Sequence, residues 1–250
     1  MRHMATAAAG IAAVVLLTGC GASSAEKAPA PTSKSGASAT SGADSSFEVE
    51  AALKNADPAP YSAEIRTETY TGSTLMVVMA GRMNLNGSGP TGKLTLTTSD
   101  SVPEDQAFKT ETILLEDATY TRTLDDGGAV GEWQRAGLDS SSAGLADYGA
   151  YAQLLLDLGP EARKGQEEAG GVPAYRLSGS LTQDQLRTVD RRLYDKMRAT
   201  GTKDFACDVW VNESGRVVRF EQSLEVSGNS ARNVVTFKNF KAPVPVSPPK

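Results

Sequence analysis

Histidine is almost absent from this chain of 250 residues, because His3 is the only one and lies close to the N-terminus. If the first segment is removed as an export signal, the remaining protein has no imidazole side chain. Ser-His-Asp and Cys-His catalysis are then excluded, as are histidine-ligated zinc and iron sites, because each of them needs that side chain.

Cysteine is scarce as well, since the chain contains only Cys20 and Cys207. Cys207 lies in the run 205–209, where apolar and polar side chains alternate. We therefore expect it to be a small buried side chain in a strand. A reactive thiol or an intermolecular disulfide is the alternative interpretation.

Basic residues are fewer than acidic ones, with 25 Lys and Arg against 30 Asp and Glu, which gives a net charge of −5. No basic run is present. We expect no nucleic-acid partner, because affinity for the phosphate backbone comes from basic patches. The segment 87–92 is rich in glycine but lacks the lysine-serine pair of a phosphate-binding loop, and it is typical of a hairpin turn.

Adjacent carboxylates remain as candidates for chemistry, at Asp125 with Asp126 and at Glu167 with Glu168. Neighbouring side chains on a strand point to opposite faces, so such a pair does not converge on one substrate atom. We predict a turn for the first pair and a charged loop for the second. The sequence thus predicts no catalytic residue, no metal ion and no cofactor, and a carboxylate-based hydrolase ranks last among the candidate functions.

The N-terminal segment has the layout of an export signal. Arg2 precedes an apolar stretch of about fourteen residues that ends in Leu17-Thr18-Gly19-Cys20. A membrane-spanning helix needs roughly twenty apolar residues, so this stretch is short for a permanent anchor. The last four residues resemble the lipobox of bacterial lipoproteins, in which the cysteine receives a diacylglyceryl group and the chain is cut before it.

This resemblance implies a signal peptide over 1–19, cleavage between Gly19 and Cys20, and lipid on Cys20. An ordinary secretory signal with an accidental cysteine is the alternative. Two acyl chains hold a protein stably on a bilayer, with about 0.8 kcal/mol for each buried methylene. We therefore expect the protein on the extracytoplasmic face of the cell membrane. Cys207 is then the only free thiol, so that no intramolecular disulfide and no thiolate metal cluster can form.

The chain beyond Cys20 divides by composition into three parts. Residues 20–46 are mostly Ala, Ser, Gly, Thr and Pro, with few large apolar side chains, which predicts a flexible tether. Residues 47–243 are long enough for one domain with a sizeable core, which we expect to be monomeric. Residues 244–250 form a proline-rich tail that we expect to be extended on the surface or disordered.

The domain is dominated by the alternation of apolar and polar residues that is typical of strands. Ala63 and Ile65, for example, alternate with Ser62 and Glu64. Further strands are predicted over 74–85, 93–98, 108–116, 118–124, near Trp133, and over 204–211, 216–226 and 233–240. Strands of this number and length favour an α+β fold with one large, strongly curved antiparallel sheet.

Three amphipathic helices interrupt the strands, over 47–56, over 147–158 and from Thr182 to Gly201. Thr182 and Gln185 have the spacing of a capping box, and Gly201 is a typical helix end. The apolar stripe of the third helix consists of Leu186, Val189, Leu193 and Met197. We expect the apolar faces of these helices to pack on the sheet.

With these elements in order, the sequence resembles the LppX/LprG-type lipoproteins of actinobacteria, which have a LolA-like fold. The resemblance is carried by the lipobox and tether before the helix at 47–56, by the strand at 62–66, and by the hairpin at 207–215. It is also carried by the final strand, which leads into the Pro/Val tail over 234–248. The hairpin, Cys-Asp-Val-Trp-Val-Asn-Glu-Ser-Gly, is the closest part.

The resemblance implies a half-barrel, in which a curved antiparallel sheet carries helices on its concave face and encloses an apolar cavity for acyl chains. Members of this family carry or present lipids and lipoglycans. The residues that we predict to line the cavity are Leu75, Val77, Met79, Leu154, Leu155, Leu186, Val189, Leu193 and Met197, and plain core packing is the alternative for each.

The leading hypothesis is therefore a lipid-anchored protein that binds an acylated lipid or lipoglycan for transport or presentation, with a membrane transporter as a further candidate partner. The alternative is an envelope sensor or regulator that uses the same fold to contact a membrane protein.

Overall fold

Twelve antiparallel strands form one sheet in the computed structural model, which describes residues 47–125, 127–137, 146–226 and 228–250. The strands are β1 Tyr61–Thr71, β2 Thr74–Leu85, β3 Thr91–Thr98, β4 Lys109–Leu114, β5 Ala118–Asp125, β6 Gly128–Ala129, β7 Gln134–Gly137, β8 Arg163–Ala169, β9 Val172–Thr182, β10 Asp204–Val211, β11 Val217–Val226 and β12 Asn229–Lys241. Their order across the sheet is β6, β5, β4, β3, β2, β1, β12, β11, β10, β9, β8, and β7 also pairs with β5.

The first and the last strand of the domain lie side by side in the middle of this sheet. Ile65 of β1 is paired with Phe237 of β12 on one side and with Gly81 of β2 on the other. Strands β1–β5 and β8–β12 each follow one another as antiparallel neighbours. The pairing of β1 with β12 therefore joins two meanders into one sheet.

One face of the sheet carries the main hydrophobic core. Strand residues from both halves belong to it, including Met83 and Leu94 from one half and Leu177 and Val209 from the other. The three helices, α1 Val49–Lys54, α2 Tyr148–Asp157 and α3 Arg191–Thr200, pack against the same face. The predicted fold class is confirmed: it is an α+β fold with a curved antiparallel sheet, and the described residues do not close it into a barrel.

Helix α2 agrees with the prediction from the sequence. Asp147 caps its N-terminus, where the carboxylate Oδ1 accepts the N–H of Ala150 at 3.0 Å. Gly159, with a φ of +100°, and Pro160 follow its last turn. Helix α1 is shorter than the predicted helix over 47–56, because it spans only Val49–Lys54.

The prediction of one helix from Thr182 to Gly201 is wrong. Strand β9 continues to Thr182, a short 3-10 helix covers Asp184–Arg187, and α3 begins only at Arg191. The physical reason is a second capping residue, Asp190, whose carboxylate accepts the N–H of Leu193 at 2.8 Å and starts a new helix. The predicted end at Gly201 is confirmed, with a φ of +70°.

The predicted loop at Glu167 and Glu168 is also wrong, because both residues belong to β8 at the edge of the sheet. An edge strand can carry charged side chains that would be costly in a central strand. The indole N–H of Trp210 donates a hydrogen bond to the Glu167 carboxylate across the strands. The strand has no apolar alternation, so the pattern of its residues did not reveal it.

Gly179 allows α2 to pack directly on β9. A Cβ at this position would lie 2.6 Å from Leu158 Cδ1 and 3.2 Å from Leu155 Cδ2, so that these two leucine side chains would have to move. Cys207 of β10 is fully buried and free, as the alternation around it predicts.

The proline-rich tail leads away from β12 next to β1 and β2. The side-chain amide of Asn84 donates to the Val244 carbonyl at 2.8 Å, and its Oδ1 accepts the Val244 N–H at 2.9 Å. The Ser62 hydroxyl donates to the Ala242 carbonyl at 2.9 Å. The start of the tail is thus extended on the surface and bonded to β1 and β2.

A buried hydrogen bond connects α2 to α3 through Tyr151 and Asp190. The Tyr151 side chain is fully buried, and its hydroxyl donates to Asp190 Oδ2 at 3.0 Å. We expect Tyr151→Phe to lower the free energy of unfolding by about 1–3 kcal/mol, because a bond to a carboxylate is lost. Urea denaturation measures this change. Tyr194→Phe is the control, since the Tyr194 hydroxyl has no hydrogen bond to the described residues, and equal losses in the two variants would contradict the prediction.

The same variant changes the stability at high pH. Burial raises the pKa of the Tyr151 hydroxyl, and the charge of Asp190 raises it further. A group with a raised pKa in the folded state stabilises the fold below its unfolded pKa of about 10, and this contribution is lost as the pH rises above it. Above pH 10 we expect the unfolding free energy of wild type to fall more steeply than that of Tyr151→Phe, by up to about 1.4 kcal/mol per pH unit. Parallel curves would rule out this role.

Candidate functional site

A cavity of about 760 Å³ lies at the end of the sheet where β1 begins, β2 ends and β11 begins. Its wall consists of α1 and the residues after it, the turn between β2 and β3, the first turn of α2, and the turn between β10 and β11. We refer to it as the end cavity. These parts are far apart in the sequence, so only the folded sheet brings them together.

Apolar and aromatic side chains form much of this wall. Leu53, Leu85 and Val217 line it, together with Phe237, which is buried in the main core. Tyr148, at the start of α2, also lines it and packs edge-on against Phe237, with 5.2 Å between the ring centroids. These side chains also belong to the main core or pack against it, so that part of the cavity wall is continuous with the hydrophobic core.

Gly215 determines how closely α1 approaches the turn between β10 and β11. Its φ of +73° favours glycine, and a Cβ at this position would lie 2.2 Å from the Ala52 carbonyl oxygen and 2.8 Å from the Ala56 Cβ. Asn212 stabilises the turn, because its Oδ1 accepts the N–H of Arg216 at 3.0 Å. Two walls of the end cavity thus depend on one residue without a side chain.

The guanidinium group of Arg216 is held against two aromatic rings at the cavity. Its Cζ lies 4.6 Å from the centroid of the Tyr61 ring and 5.5 Å from that of Phe240. The two rings are themselves in contact, with 5.7 Å between their centroids. A cation over an aromatic face is attracted by the ring quadrupole, so these contacts fix a positive charge beside the cavity.

The two tyrosine hydroxyls at the cavity remain neutral at neutral pH. Burial raises the pKa of Tyr61, while Arg216 partly opposes this increase and Asp147 adds to it. Burial also raises the pKa of Tyr148, and the charge of Asp190 raises it further. These hydroxyls therefore offer hydrogen bonds and no charge.

None of the predicted cavity residues lines the end cavity. Leu155, Leu186 and Met197 are fully buried in the main core. Val77 is buried as well, but it does not belong to that core. The others are half-buried: Met79, Leu154, Val189 and Leu193 pack against the core, and Leu75 lies near the start of β2. Contact of these side chains with a ligand stays a prediction. Gly19 and Cys20 lie outside the described residues.

The residues that do line the end cavity were missed because most of them belong to turns and element ends. Leu53, Leu85 and Val217 resemble ordinary core positions in the sequence. One signal was available: the glycine-rich turn at 87–92 contributes Gly87 and Gly89 to the wall.

A metal site needs several ligand side chains close together. Over these residues, no group of at least three His, Cys, Asp or Glu side chains could hold a metal ion. None of the three described helices has the length and apolar composition of a membrane span.

No protein-family model matches the chain, and no curated protein matches it either. Solved structures do match. The chain is similar to LprF from Mycobacterium bovis, with 15% identity over 80% of this chain and 96% of that chain, at a TM-score of 0.47. It is also similar to the lipoprotein LppX from Mycobacterium tuberculosis, with 12% identity over 80% of this chain and 96% of that chain, at a TM-score of 0.46.

The solved structures that match thus include LppX, a member of the family that the sequence resembles. A LolA superfamily protein from Nitrosomonas europaea is similar as well, with 10% identity over 79% of this chain and 94% of that chain, at a TM-score of 0.27.

Substitution of Gly215 tests the close contact between α1 and the β10–β11 turn. We expect Gly215→Ala to destabilise the protein by roughly 1–3 kcal/mol more than Gly72→Ala in urea denaturation. Gly72 is a matched control, because its φ is +57° but nothing lies within 4 Å of a Cβ built there. Both variants therefore have the backbone strain of a left-handed residue, and only Gly215→Ala has the clash. Equal losses of unfolding free energy in the two variants would show that α1 does not pack closely against the turn.

Proposed function

We propose that the end cavity binds the acyl chain of a lipid, and that the protein does so on the extracytoplasmic face of the membrane, anchored through a diacylglyceryl group on Cys20. The observation that carries the proposal is a preformed space of about 760 Å³ whose lining contains a group of apolar and aromatic side chains beside polar ones. This volume is within the range of roughly 300–1,000 Å³ that is usual for ligand sites.

The energetics of such a site favour a long apolar ligand. Each methylene removed from water contributes about 0.8 kcal/mol, so ten methylenes contribute about 8 kcal/mol before the entropic cost of association. The wall supplies the necessary contacts through Leu53, Leu85, Val217 and Phe237. Affinity in this site needs shape and apolar area, and it does not need a reactive group.

The carboxylates of the wall support binding over catalysis. Asp147 caps α2 through the Ala150 N–H, and Glu50 forms an ion pair with Arg163. A general acid or base must be free to exchange a proton with a substrate atom. These two groups, and Asp57 through the N–H of Ala59, are instead engaged in structural contacts.

The proposed anchor is close in the sequence to the wall of the cavity. Helix α1 begins at Val49, directly after the predicted tether, and its residues Leu53 and Lys54 line the cavity. A flexible tether of about 26 residues has a root-mean-square span of roughly 28 Å. An anchored domain of this kind stays within a short distance of the bilayer, which is the source of its ligand.

Lipid analysis of the purified protein tests the binding function. The protein with Cys20→Ala is isolated from its native host and extracted with organic solvent, and the extract is examined by mass spectrometry. We expect a stoichiometric acylated compound. We expect Leu53→Trp, whose larger side chain occupies part of the cavity, to reduce the bound lipid at least tenfold, because the acyl chain loses the space in which it packs.

Val130→Trp is the matched control, because the Val130 side chain is 59% exposed and lies outside the cavity. It should retain the lipid. An empty protein that also takes up no added lipid would contradict the proposal and favour the alternative, a regulator that contacts a membrane protein.

Replacement of the proposed lipidation site tests the anchor. We expect Cys20→Ala to move the protein from the membrane fraction to the soluble fraction and to abolish labelling by radioactive palmitate, because the thiol that accepts the lipid is gone. Cys207→Ala is the control and should stay with the membrane, since the buried Cys207 cannot carry a lipid in the folded protein. Labelling that persists in Cys20→Ala would exclude this anchor.

A further inference from the structure

Two cations line the end cavity without a carboxylate partner among the described residues. Arg216 and Lys54 both belong to the wall, and neither is within ion-pair distance of an acidic side chain in that part of the chain. Other arginines of the domain do form such pairs, for example Arg176 with Asp208 at 2.7 Å. Arg216 therefore differs from these arginines in its surroundings.

None of the acidic residues of the wall forms an ion pair with these two cations among the described residues, and each of them has another contact. The Glu50 carboxylate forms an ion pair with Arg163, and Asp147 Oδ1 accepts the Ala150 N–H. Asp57 Oδ1 accepts the N–H of Ala59 at 2.9 Å. The three cations Lys54, Arg163 and Arg216 equal in number the three carboxylates Glu50, Asp57 and Asp147. The cavity therefore has no excess positive charge, and only the immediate surroundings of Arg216 and Lys54 attract an anion.

The position of Arg216 is suited to an anionic group. The guanidinium lies over the rings of Tyr61 and Phe240, and this attraction depends on its positive charge rather than on its N–H donors. Those donors match the oxygen spacing of a phosphate or a carboxylate. The rings also limit the rotamers of the side chain, so less entropy is lost when the anion binds.

Apolar wall residues lie next to both cations. Leu53 precedes Lys54 on α1, and Val217 follows Arg216 at the start of β11. A single ligand can therefore contact the apolar wall with its chain and the cations with its head. Resting on the proposed lipid-binding function, we propose that the ligand of the end cavity is an anionic amphiphile, with its phosphate or carboxylate group bound by Arg216 and assisted by Lys54.

A matched pair of lipids tests this assignment. Lauroyl glycerol phosphate and monolauroyl glycerol share the acyl chain and the glycerol, and they differ only by the phosphate. Binding of each to the delipidated Cys20→Ala protein is measured by calorimetry, below the concentration at which the lipids form micelles. Glycerol 3-phosphate, which has the head without the chain, is titrated in parallel.

We expect the phosphate-bearing lipid to bind at least about tenfold more tightly than the neutral one, because charge-assisted hydrogen bonds to Arg216 form only with the anion. Arg216→Gln should lower the affinity for the phosphate-bearing lipid far more than that for the neutral one, and so remove this preference. Arg216→Lys should retain part of the preference, and Lys54→Gln should weaken it. Lys203→Gln is the control and should have no effect, because Lys203 precedes β10 at the far end of that strand from the cavity.

The possible results separate the two proposals. Equal binding of the two lipids would overturn the assignment of an anionic head and leave the lipid-binding function standing. Binding of neither lipid would overturn both. If only glycerol 3-phosphate binds, and this binding is lost in Arg216→Gln, the cavity is a site for free anions. That result would also overturn the proposal of an amphiphilic ligand.

Discussion

The pairing of β1 with β12 is the interaction on which the rest of the molecule depends. Each of the two meanders has an inner edge with unpaired backbone groups, and an exposed edge of this length would invite association with other chains. The register of Ile65 with Phe237 satisfies both edges at once. It also brings the beginning of the domain next to its end.

The end cavity follows from this register. Tyr61 begins β1 and Phe240 lies near the end of β12, so the same pairing that joins the meanders places these two rings in contact. Arg216 reaches both rings from the β10–β11 turn. Gly215 lies in that turn, and the contact of α1 with this glycine fixes the distance between the turn and the helix. The polar and apolar parts of the site are consequently set by backbone pairing and by one close contact, and not by a local motif.

The parts of the fold that could be predicted from the sequence are those with a local cause. Strand β2 was predicted with its observed bounds, 74–85, because its ends coincide with turn residues. Helix α2 was predicted over 147–158, and its observed ends do have local causes, the cap at Asp147 and the Gly159-Pro160 pair. Strand β8 was not predicted, since its pairing with β9 is the only reason why a charged segment is extended. The break before α3 depended on the competition between Thr182 and Asp190 as capping residues, which the spacing of apolar residues does not decide.

The candidate site was harder to predict than the fold because a cavity is a gap between elements. Alternation and helical periodicity identify residues that face inward, and Leu155, Leu186 and Met197 do face inward. Periodicity does not distinguish an inward residue that meets another side chain from one that meets open space. The predicted residues were therefore found buried or half-buried elsewhere in the domain, while the open space lies at the strand ends, near Leu85 and Val217.

The distance between the two sets of residues decides what a ligand could contact. Leu155 lies about 10 Å further along α2 than Tyr148, given a rise of 1.5 Å per residue. An acyl chain bound at Tyr148 in the end cavity would have to run that far along the helix to reach Leu155. Leu155 is completely buried, and protein interiors are close-packed, so side chains would have to move to admit the chain. The burial of each further methylene contributes about 0.8 kcal/mol, whereas a displaced leucine loses roughly 1.5–3 kcal/mol. Under the proposed function, short chains would therefore occupy the end cavity alone, and only a ligand long enough to offset the loss of core packing would make the predicted residues part of the site.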